Sequence, residues 1–547
     1  MTLTDDISRA TVPSNLAELL SRAAEAAADK VALVEASTGR RVTWAELDAE
    51  ASRVAHGLAE IGLVAGYRVV IAVTNRIEFV TAYLGALRAR MIAVPVNPRS
   101  TTGELVRMIA DCGARTVVAD QETITTVRSA VSGLHDALEG ADDELRARAF
   151  VPRIVVARSR TVPGEMSYDE LIQAGSTQTP TPEDPEALAV LLYTSGTSGR
   201  PRAAMLSHRA LIANIEQAAA VDPAMVTGTD VVFGVLPLFH VYGLNAVLGQ
   251  VIRQEATLVL VDGFDVEGSL DIIADEAVSV VPVAPSVFGY WMSADDLRDR
   301  LSAVRLVLSG SAPLAPDLVD SFTETTGIPV HQGYGLTEAA PVVTSTQGRS
   351  AQGSRTAKSG SVGAVLPGIT IKLVDEGGRE PEGSDPGEIH IRGDNLFSGY
   401  WPDGTDGPDE DGWWPTGDVG FLDPDGDLFL VDRLRELVVV SGFNVYPSEV
   451  EDVIIEVDGV AEAAVIGTDD DRRGEAVVAY VKRDPGSALT DDELVASVRA
   501  HCSERLARFK QPSVIHVVDV LPHTVTGKVA KGRLRATERR RALGLLE

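Results

Sequence analysis

Short apolar runs that alternate with helix-forming segments constrain the fold of this 547-residue chain more than any other feature. Runs at 69–73, 91–96 and 115–119 have the length and composition of buried strands. Thr-x-x-Glu capping boxes at 43–46 and 101–104 mark the starts of two helices in the same region. This alternation predicts an α/β fold, with doubly wound βα layers and helices on both faces of a mainly parallel sheet.

The alternation weakens between 121 and 185, where acidic, Pro- and Thr-containing sequence predicts surface excursions. It resumes with predicted strands at 256–261, 279–283 and 304–308. The first part of the chain is therefore expected to form one large layered unit.

After about Gly360 the sequence changes to short strands separated by Gly- and Asp-containing turns, which predicts a small β-rich subdomain. From Ser448 onward the pattern is that of a compact α+β unit. The predicted elements of these two parts lie at 369–374, 387–392, 428–431, 448–455, 462–466, 475–482 and 491–506. A chain of this length needs more than one core. We expect an N-terminal domain at 1–432, with its β-rich subdomain at about 360–432, and a C-terminal lid domain at 433–547.

The charge and composition exclude several classes of protein. Acidic residues outnumber Lys and Arg by 79 to 49, which opposes non-specific binding to nucleic acid. Residues 1–15 contain no visible secretory signal, and no apolar stretch approaches the roughly 20 residues of a membrane span. Two distant cysteines and scattered histidines predict neither a disulfide framework nor a structural zinc site. We expect a cytoplasmic enzyme; peripheral membrane contact and the oligomeric state are left open.

The C-terminal end has the opposite charge, with ten Lys or Arg against four acidic residues in 501–547. For 533–541 a solvated helix face is the ordinary explanation. Lys528 stands apart from that cluster, in the turn Thr526-Gly527-Lys528, and is harder to explain as a solvated charge.

The segment 193–201, Tyr-Thr-Ser-Gly-Thr-Ser-Gly-Arg-Pro, follows a predicted buried strand at 187–192 and precedes a helix from about Ser207. Its hydroxyls and glycine-flanked amides favour a loop that wraps a polyanion. A flexible Ser/Gly linker is the alternative, and the ordered flanking pattern argues against it. The spacing matches neither a Walker A loop nor a nucleophile elbow.

Five further turns concentrate polar chemistry, and each is weak by itself because such turns are common in plain loops. One contains His240, for which a buried structural histidine is the ordinary alternative. Another contains Glu338, a hard carboxylate suited to Mg²⁺. The turns are Pro237–Gly243, Ser309–Pro313, Gly333–Glu338, Thr416–Asp418 and Asp432–Arg435 with the following 440–447.

The order of these motifs along about 42–535 closely resembles the adenylate-forming superfamily of acyl- and aryl-CoA synthetases, adenylation domains and luciferases. Segments 334–343 and 441–447 look most like those of fatty-acid CoA ligases. The resemblance implies ATP, Mg²⁺ and coenzyme A as co-substrates or cofactors, and a carboxylic acid as substrate. It implies acyl-adenylate and pyrophosphate first, and then acyl-CoA and AMP.

The resemblance also implies a role for each matching residue. Lys528 would bridge the carboxylate and phosphate oxygens, Thr337 would hold the α-phosphate, Glu338 would hold Mg²⁺, and His240 would gate the acyl pocket. The expected nucleotide-binding groups are Thr194, Ser195, Gly196, Thr197, Ser198, Gly199 and Arg202 for the β- and γ-phosphates, Gly310, Ser311, Ala312, Gly333, Tyr334 and Gly335 around adenine, and Asp418 and Arg433 for ribose. Gly442 would line the pantetheine channel after the C-terminal domain turns about a hinge near Arg435.

The chain departs from the family pattern in three places. Arg202 and Ala203 stand where Lys-Gly is usual, Arg435 replaces Asp or Lys, and the segment 400–414 is acidic and shortened. We expect a medium- or long-chain fatty-acid CoA ligase. The alternatives are an aryl or other carboxylate CoA ligase, a fatty-acyl-AMP ligase that serves a carrier protein, and an inactive protein of the same fold.

Overall fold

The computed structural model of the chain describes residues 13–139, 143–173, 184–194, 202–311, 314, 316–350, 353–354, 358–375, 377–381, 385–433, 436–440, 443–470, 474–524 and 527–542. Three groups of strands follow one another along the chain and are numbered in chain order. The first group is β1 Val31–Glu35, β2 Arg40–Thr43, β3 Arg68–Ala72, β4 Ile92–Pro95, β5 Thr116–Ala119, β6 Arg153–Val156, β7 Met166–Ser167, β8 Leu188–Thr194, β9 Arg202–Ser207, β10 Val231–Gly234, β11 Thr257–Leu260, β12 Val280–Val283, β13 Leu306–Ser309 and β14 Val330–Gln332.

The second group forms the β-rich subdomain, and the third belongs to the C-terminal domain. The second is β15 Thr344–Ser345, β16 Arg349–Ser350, β17 Gly353–Ser354, β18 Gly363–Val365, β19 Ile369–Val374, β20 Gly387–Gly393, β21 Trp414–Leu422 and β22 Asp427–Arg433. The third is β23 Val438–Val440, β24 Phe443–Val445, β25 Val460–Asp470, β26 Gly474–Arg483 and β27 Val514–Val518.

The helices are numbered in the same way. They are α1 Ala17–Ala26, α2 Trp44–Glu60, α3 Ile77–Arg88, α4 Thr102–Cys112, α5 Ile124–Ser132, α6 Leu134–Leu138, α7 Asp143–Arg148, α8 Tyr168–Gln173, α9 His208–Ala219, α10 Gln250–Arg253, α11 Val266–Asp275, α12 Ser286–Trp291, α13 Leu297–Arg300, α14 Pro316–Thr326, α15 Pro447–Ile455, α16 Asp491–Arg505 and α17 Lys531–Ala542. A π-helix covers Tyr242–Gly249 and a short 3₁₀-helix covers Thr337–Ala339.

Two mainly parallel sheets form the body of the N-terminal domain. Across the described residues each has seven strands, in the orders β7-β6-β5-β3-β4-β8-β9 and β14-β13-β12-β10-β11-β1-β2. In each sheet an antiparallel strand, β9 or β2, closes one edge. The predicted α/β layers are therefore confirmed.

Helix α3 lies in the core between these sheets, and every one of its residues is buried. Most of its residues are apolar, and its two charged residues are paired, Glu78 with Arg158 and Arg88 with Asp48, so the helix can be buried on every side. Its Phe79 and Tyr83 share one continuous hydrophobic cluster with Trp44 of α2 and Leu211 of α9. The capping boxes predicted at Thr43 and Thr101 are both formed, at the first residues of α2 and α4.

The β-rich subdomain contains an antiparallel sheet, with the order β15-β18-β22-β21-β20-β19 in the part of the chain that is described. The C-terminal domain has its own core beneath β23, β25 and β26, which pair antiparallel, and β27 adds a parallel strand. Both agree with the elements expected from the sequence. The domain boundary at 432/433 remains a prediction.

Two expectations about local structure were wrong. The segment 121–185, where the alternating pattern weakens, contains α5 to α8 together with β6 and β7. Strand β6 pairs parallel with β5, and so extends the parallel sheet. Arg202 and Ala203 do not lie in a loop but in β9, which pairs antiparallel with β8. The periodicity of β9 is hard to see in sequence because Arg202-Ala203-Ala204 carries few β-forming side chains.

Candidate active site

The predicted phosphate loop connects two strands of one hairpin. Thr194 at the end of β8 pairs with Arg202 at the start of β9, and the Thr194 hydroxyl donates to the Arg202 carbonyl at 3.3 Å. The intervening positions Ser195, Gly196, Thr197, Ser198 and Gly199 lie outside the described residues. The hairpin therefore fixes the two ends of the loop at adjacent positions on the sheet edge.

The Arg202 side chain lies against the shortened acidic segment that follows β20. Its guanidinium stacks 3.8 Å from the centroid of the Tyr400 ring. Nη1 forms an ion pair with the Asp406 carboxylate at 2.8 Å. The planar guanidinium of Arg202 thus lies beside the end of the loop, with its Nη1 engaged by Asp406.

The turn that carries His240 is held by the buried side chain of Asn75. The amide nitrogen of Asn75 donates to the carbonyls of Gly234 and Leu236 at 3.1 and 2.9 Å. The amide oxygen of Asn75 accepts a hydrogen bond from Leu238 N at 3.0 Å. These three bonds attach the segment just before α3 to the turn, and so set where His240 stands.

The imidazole of His240 is neutral at physiological pH. Its Nδ1 accepts a hydrogen bond from Tyr242 N at 3.3 Å, which places the proton of the neutral ring on Nε2. Burial, with a smaller contribution from the charge of Lys528, lowers the pKa of His240 to about 4.

Lys528 stands on a tight turn that reaches the large domain. Lys528 N donates to the Thr524 hydroxyl at 3.2 Å, and Thr524 N donates to the Lys528 carbonyl at 2.7 Å. A Cβ placed on Gly527 would lie 3.5 Å from the Ser286 hydroxyl, at the start of α12. The turn therefore touches the end of the second parallel sheet, where the strand termini converge.

Gly310 follows β13 and faces the ring of Tyr242. A Cβ at position 310 would lie 2.9 Å from Cε1 and 3.1 Å from Cζ of that ring, so only glycine fits there. Ser311 adopts a left-handed backbone with φ of 76°, and Ala312 is outside the described residues. Burial raises the pKa of the Tyr242 hydroxyl, so it remains protonated.

The predicted ribose and adenine groups meet at the junction with the β-rich subdomain. The hydroxyl of Tyr334 donates to Asp418 Oδ2 at 2.6 Å, and both residues are buried. Asp418 in β21 pairs across the sheet with Arg433 in β22. Gly333 and Gly335 flank Tyr334 where the backbone passes close to Thr344 and Pro341.

Thr337 and Glu338 form the short 3₁₀-helix after this turn, and Glu338 is 9% exposed. Glu338 Oε1 accepts a hydrogen bond from the Tyr400 hydroxyl at 2.6 Å. Its backbone carbonyl accepts a hydrogen bond from Phe397 N at 2.9 Å. The carboxylate therefore has a fixed orientation between β9 and the subdomain.

The residues present fit a Mg²⁺ ion that arrives with a nucleotide. Within the described ranges no group of three His, Cys, Asp or Glu side chains could hold a metal by itself. Mg²⁺ commonly uses one or two carboxylates while phosphates and waters complete its shell. Glu338 is a hard, oriented carboxylate of that kind. No helix in the described part of the chain is long and apolar enough to cross a membrane.

Gly310 and the His240 turn follow strands of the second parallel sheet, and the carboxyl ends of such strands are where α/β sheets bind ligands. Tyr334 contacts Asp418, and Tyr400 contacts both Glu338 and Arg202, where the large domain adjoins the β-rich subdomain. The turn that carries Lys528 reaches α12 from the C-terminal domain. Gly442 and Arg435 are outside the described residues. Three side chains at the site were not among the predicted site residues: Asn75, Tyr242 and Tyr400. The sequence offered a signal for two of them, the aromatic turn 239–242 for Tyr242 and the Gly399-Tyr400 pair for Tyr400.

Two family models match the chain. Residues 20–401 match the AMP-binding enzyme family, and residues 449–528 match the C-terminal domain of AMP-binding enzymes. The chain belongs to this family, the adenylate-forming superfamily that its motif order predicts, and it is an AMP-forming acid–thiol ligase that uses ATP and coenzyme A.

The chain is similar to 4-coumarate–CoA ligase-like 9 of Oryza sativa subsp. japonica, with 34% identity over 95% of this chain and 92% of that protein. Among solved structures, ATP-bound MatB from Rhodopseudomonas palustris shares 30% identity and a TM-score of 0.83, covering 96% of this chain and 99% of that one. A benzoate CoA ligase from Burkholderia xenovorans LB400 shares 26% identity and a TM-score of 0.81, covering 95% and 99%.

Proposed function

We propose that this ligase activates an aromatic carboxylic acid, of the benzoate or phenylpropenoate type, and transfers the acyl group to coenzyme A. The observation that carries the proposal is the ring of Tyr242 packed against Gly310 beside the His240 turn. This tyrosine begins the π-helix Tyr242–Gly249, a distortion that is often associated with functional sites.

We infer that the Tyr242 ring gives one wall of the acid pocket a flat aromatic surface. The ring packs directly on the backbone at Gly310, which supports this inference because the contact holds the ring in place. Aromatic rings pack on one another with defined offset or edge-to-face geometry, whereas a flexible chain gains only buried area and loses rotamer freedom. A planar acid suits this wall better than a long alkyl chain.

The names of the relatives support the same choice. The rice protein is described as a 4-coumarate–CoA ligase-like protein, and the solved structure from Burkholderia as a benzoate CoA ligase. The expectation of a medium- or long-chain fatty-acid substrate gains no support from these two proteins. The aryl alternative considered from the sequence is therefore the one we adopt.

In the first step, a carboxylate oxygen of the acid attacks the α-phosphorus of ATP, and the bond to the bridging oxygen of pyrophosphate breaks. We assign Lys528 to the approaching carboxylate and α-phosphate, and Thr337 to the α-phosphate. Arg202 and the loop from Thr194 would hold the β- and γ-phosphates. When bound through Glu338, Mg²⁺ would offset the charge that otherwise repels the carboxylate.

The nucleoside would be held where the large domain meets the β-rich subdomain. Tyr334 and the segment from Gly310 would flank adenine, and the carboxylate of Asp418 would accept hydrogen bonds from the ribose hydroxyls, with Arg433 on the paired strand. The buried carboxylate is already oriented by the Tyr334 hydroxyl, which reduces the ordering required on binding.

In the second step, the thiol of coenzyme A loses its proton and its sulfur attacks the acyl carbon, and AMP leaves with the electrons of the mixed-anhydride bond. The turn that carries Lys528 reaches α12 of the large domain at Ser286, a position that suits the first step. We propose that the C-terminal domain, 433–547, then turns about a hinge near Arg435 and brings Gly442 to the pantetheine.

The test is a panel of aromatic and saturated acids of different lengths, read as pyrophosphate release with ATP and Mg²⁺. Benzoate, cinnamate and 4-coumarate should give at least about tenfold higher kcat/KM than saturated acids from butyrate to palmitate, since a misfit of 1–3 kcal/mol separates substrates by that factor or more. Higher kcat/KM for the fatty acids would contradict the aromatic assignment, and the absence of pyrophosphate release with every acid would contradict a synthetase.

Two further measurements separate the remaining alternatives. AMP release that depends on coenzyme A identifies a CoA ligase, whereas adenylate that accumulates despite coenzyme A indicates a carrier-protein acceptor. Tyr242→Ala should reduce the preference for 4-coumarate over nonanoate, because it removes the aromatic wall and enlarges the pocket. An unchanged ratio of kcat/KM for this pair would show that Tyr242 does not select the substrate.

A further inference from the structure

Tyr400 occupies a position that the backbone sets before its side chain makes any contact. The segment 398–401 runs antiparallel along β9, with Ser398 N donating to Met205 O at 2.9 Å and Trp401 N to Ala203 O at 2.9 Å. Tyr400 itself bridges Ala204 on that strand. Its side chain therefore stands beside Arg202, one strand away from the phosphate loop.

The hydroxyl end of Tyr400 contacts the carboxylate assigned to the metal. It donates to Glu338 Oε1 at 2.6 Å, and the ring packs edge-on against Phe397 at 5.0 Å between centroids. The direction of one Glu338 oxygen is thereby fixed.

The face of the same ring contacts the cation assigned to phosphate. The guanidinium of Arg202 lies 3.8 Å from the ring centroid, and Nη2 reaches the Thr405 hydroxyl at 3.4 Å. A cation over an aromatic face is attracted and also restricted in orientation. Tyr400 thus touches both a metal-directed anion and a phosphate-directed cation through different parts of one side chain.

We propose that Tyr400 is a positioning residue for the adenylation step, which fixes the Glu338 carboxylate through its hydroxyl and the Arg202 guanidinium through its ring. The side chain of Tyr400 then fixes the distance between Glu338, which would face Mg²⁺, and Arg202, which would face the β- and γ-phosphates. The proposal rests on the proposed roles of Glu338 and Arg202 in binding Mg²⁺ and ATP.

The two halves of the contact can be separated by substitution. Tyr400→Phe removes the hydroxyl and keeps the ring, so it should affect the metal and spare Arg202. Tyr400→Leu removes both contacts. Tyr480→Phe in the C-terminal sheet is the matched control, because it deletes a hydrogen bond from a tyrosine to Glu538 of 2.5 Å outside the proposed ATP site.

Binding is measured without turnover. Titration of Mn²⁺ into enzyme with a non-hydrolysable ATP analogue, followed by electron paramagnetic resonance, reports the metal affinity. Calorimetry with ATP and EDTA reports metal-free nucleotide binding. Tyr400→Phe should weaken Mn²⁺ binding by about 5- to 20-fold, as expected for a lost hydrogen bond to a charged group, and change metal-free ATP binding by less than about twofold.

Tyr400→Leu should in addition weaken metal-free ATP binding by about two- to fivefold, since the Arg202 guanidinium loses the aromatic face. The Mg²⁺ concentration at half-maximal pyrophosphate release should rise in the same order as the Mn²⁺ dissociation constants. Tyr480→Phe should match the unaltered enzyme in all three measurements.

Equal Mn²⁺ affinity in Tyr400→Phe and the unaltered enzyme would overturn the proposal. So would an equal loss of metal-dependent and metal-free binding in Tyr400→Phe, which would indicate a purely structural tyrosine. Glu338→Gln separates this failure from failure of the proposed function. If that variant keeps its metal affinity while aromatic acids are still adenylated, the role of Tyr400 is wrong and the activity stands.

Discussion

The two sides of the site are built in different ways. On the side of the large domain, Tyr334, Glu338 and Asp418 are between 7% and 9% exposed and are oriented by hydrogen bonds. On the side of the C-terminal domain, Lys528 is exposed on a tight turn. The groups that we propose bind the nucleotide are thus organised in advance, while Lys528, the cation that we assign to the reacting atoms, lies on a second domain.

Two ion pairs lie close to the proposed hinge of the C-terminal domain. Lys531, three residues after Lys528, lies 3.0 Å from Glu436 and 2.9 Å from Glu451. Glu436 directly follows the proposed hinge at Arg435.

The difference between the two sides of the site predicts different effects of substitution. Removing a group on the side of the large domain should mainly weaken nucleotide binding, whereas removing Lys528 should mainly slow the chemical step.

The largest effect is expected from Lys528→Ala. Pyrophosphate release should fall on the order of 10²- to 10³-fold, the usual loss when a charge-stabilising donor is removed from a transition state. The dissociation constant of ATP, measured by calorimetry, should stay within about threefold because the binding groups lie on the other domain. Unchanged turnover would show that Lys528 has no part in adenylation.

A loss of binding is expected from Asp418→Ala. The variant removes the proposed ribose acceptor and the partner of the Tyr334 hydroxyl, so the dissociation constant of ATP should rise about 10- to 100-fold. Tyr334→Phe is the control, since it keeps the ring and the carboxylate and should cost about two- to fivefold at most. Equal ATP affinity in Asp418→Ala and the unaltered enzyme would remove Asp418 from the nucleotide site.

His240 lies where the two sides meet, and its titration reports their contact. Burial is the main cause of its low pKa, and the charge of Lys528 is the second. In Lys528→Ala the pKa of His240, measured by NMR of labelled histidine, should therefore rise from about 4 but remain below the usual 6.5. An unchanged value would mean that Lys528 does not face this turn in solution.

The same shift predicts a dependence of stability on pH. The folded-state pKa near 4 is below the ordinary 6.5, so between these values the unfolded chain binds a proton that the folded chain does not. The contribution of a neutral His240 is complete above about pH 6.5 and is lost as the pH falls toward 4. When the pH is lowered from 7 to 5, the free energy of unfolding should fall by about 1–2 kcal/mol more in the unaltered enzyme than in His240→Gln, as measured by chemical denaturation.

The smallest effect concerns the ion pair between Arg202 and Asp406. The pair is partly exposed, so Asp406→Asn should release Arg202 toward phosphate and tighten ATP binding by only about two- to fourfold. Asn also tolerates the left-handed backbone at this position, where φ is 54°. Asp403→Asn is the control, as it removes the same charge from the same loop. Equal effects of the two variants would reflect net charge and not the pair.

Much of the fold was predictable because its signals are local. The capping boxes at Thr43 and Thr101 and the strands of the subdomain follow from spacing and turn residues alone. The strand β9 was missed because small residues carry little β preference, and its partner β8 decides its conformation. The strand β6 was missed for a different reason. Its Ile154, Val155 and Val156 favour a strand, but the run is short and stands among polar sequence, and its pairing with β5 is what places it in the sheet.

The family and the kinds of chemical group in the site follow from the sequence, because motifs that are weak one by one occur in a characteristic order along the chain. Which of these groups touch one another depends on the folded structure. Three contacts show this: Tyr400 with Glu338, Tyr242 with Gly310, and Asn75 with the His240 turn. Each joins residues that are 62 to 163 positions apart in the sequence. No local pattern encodes such distances, because the packing of one element against another sets them.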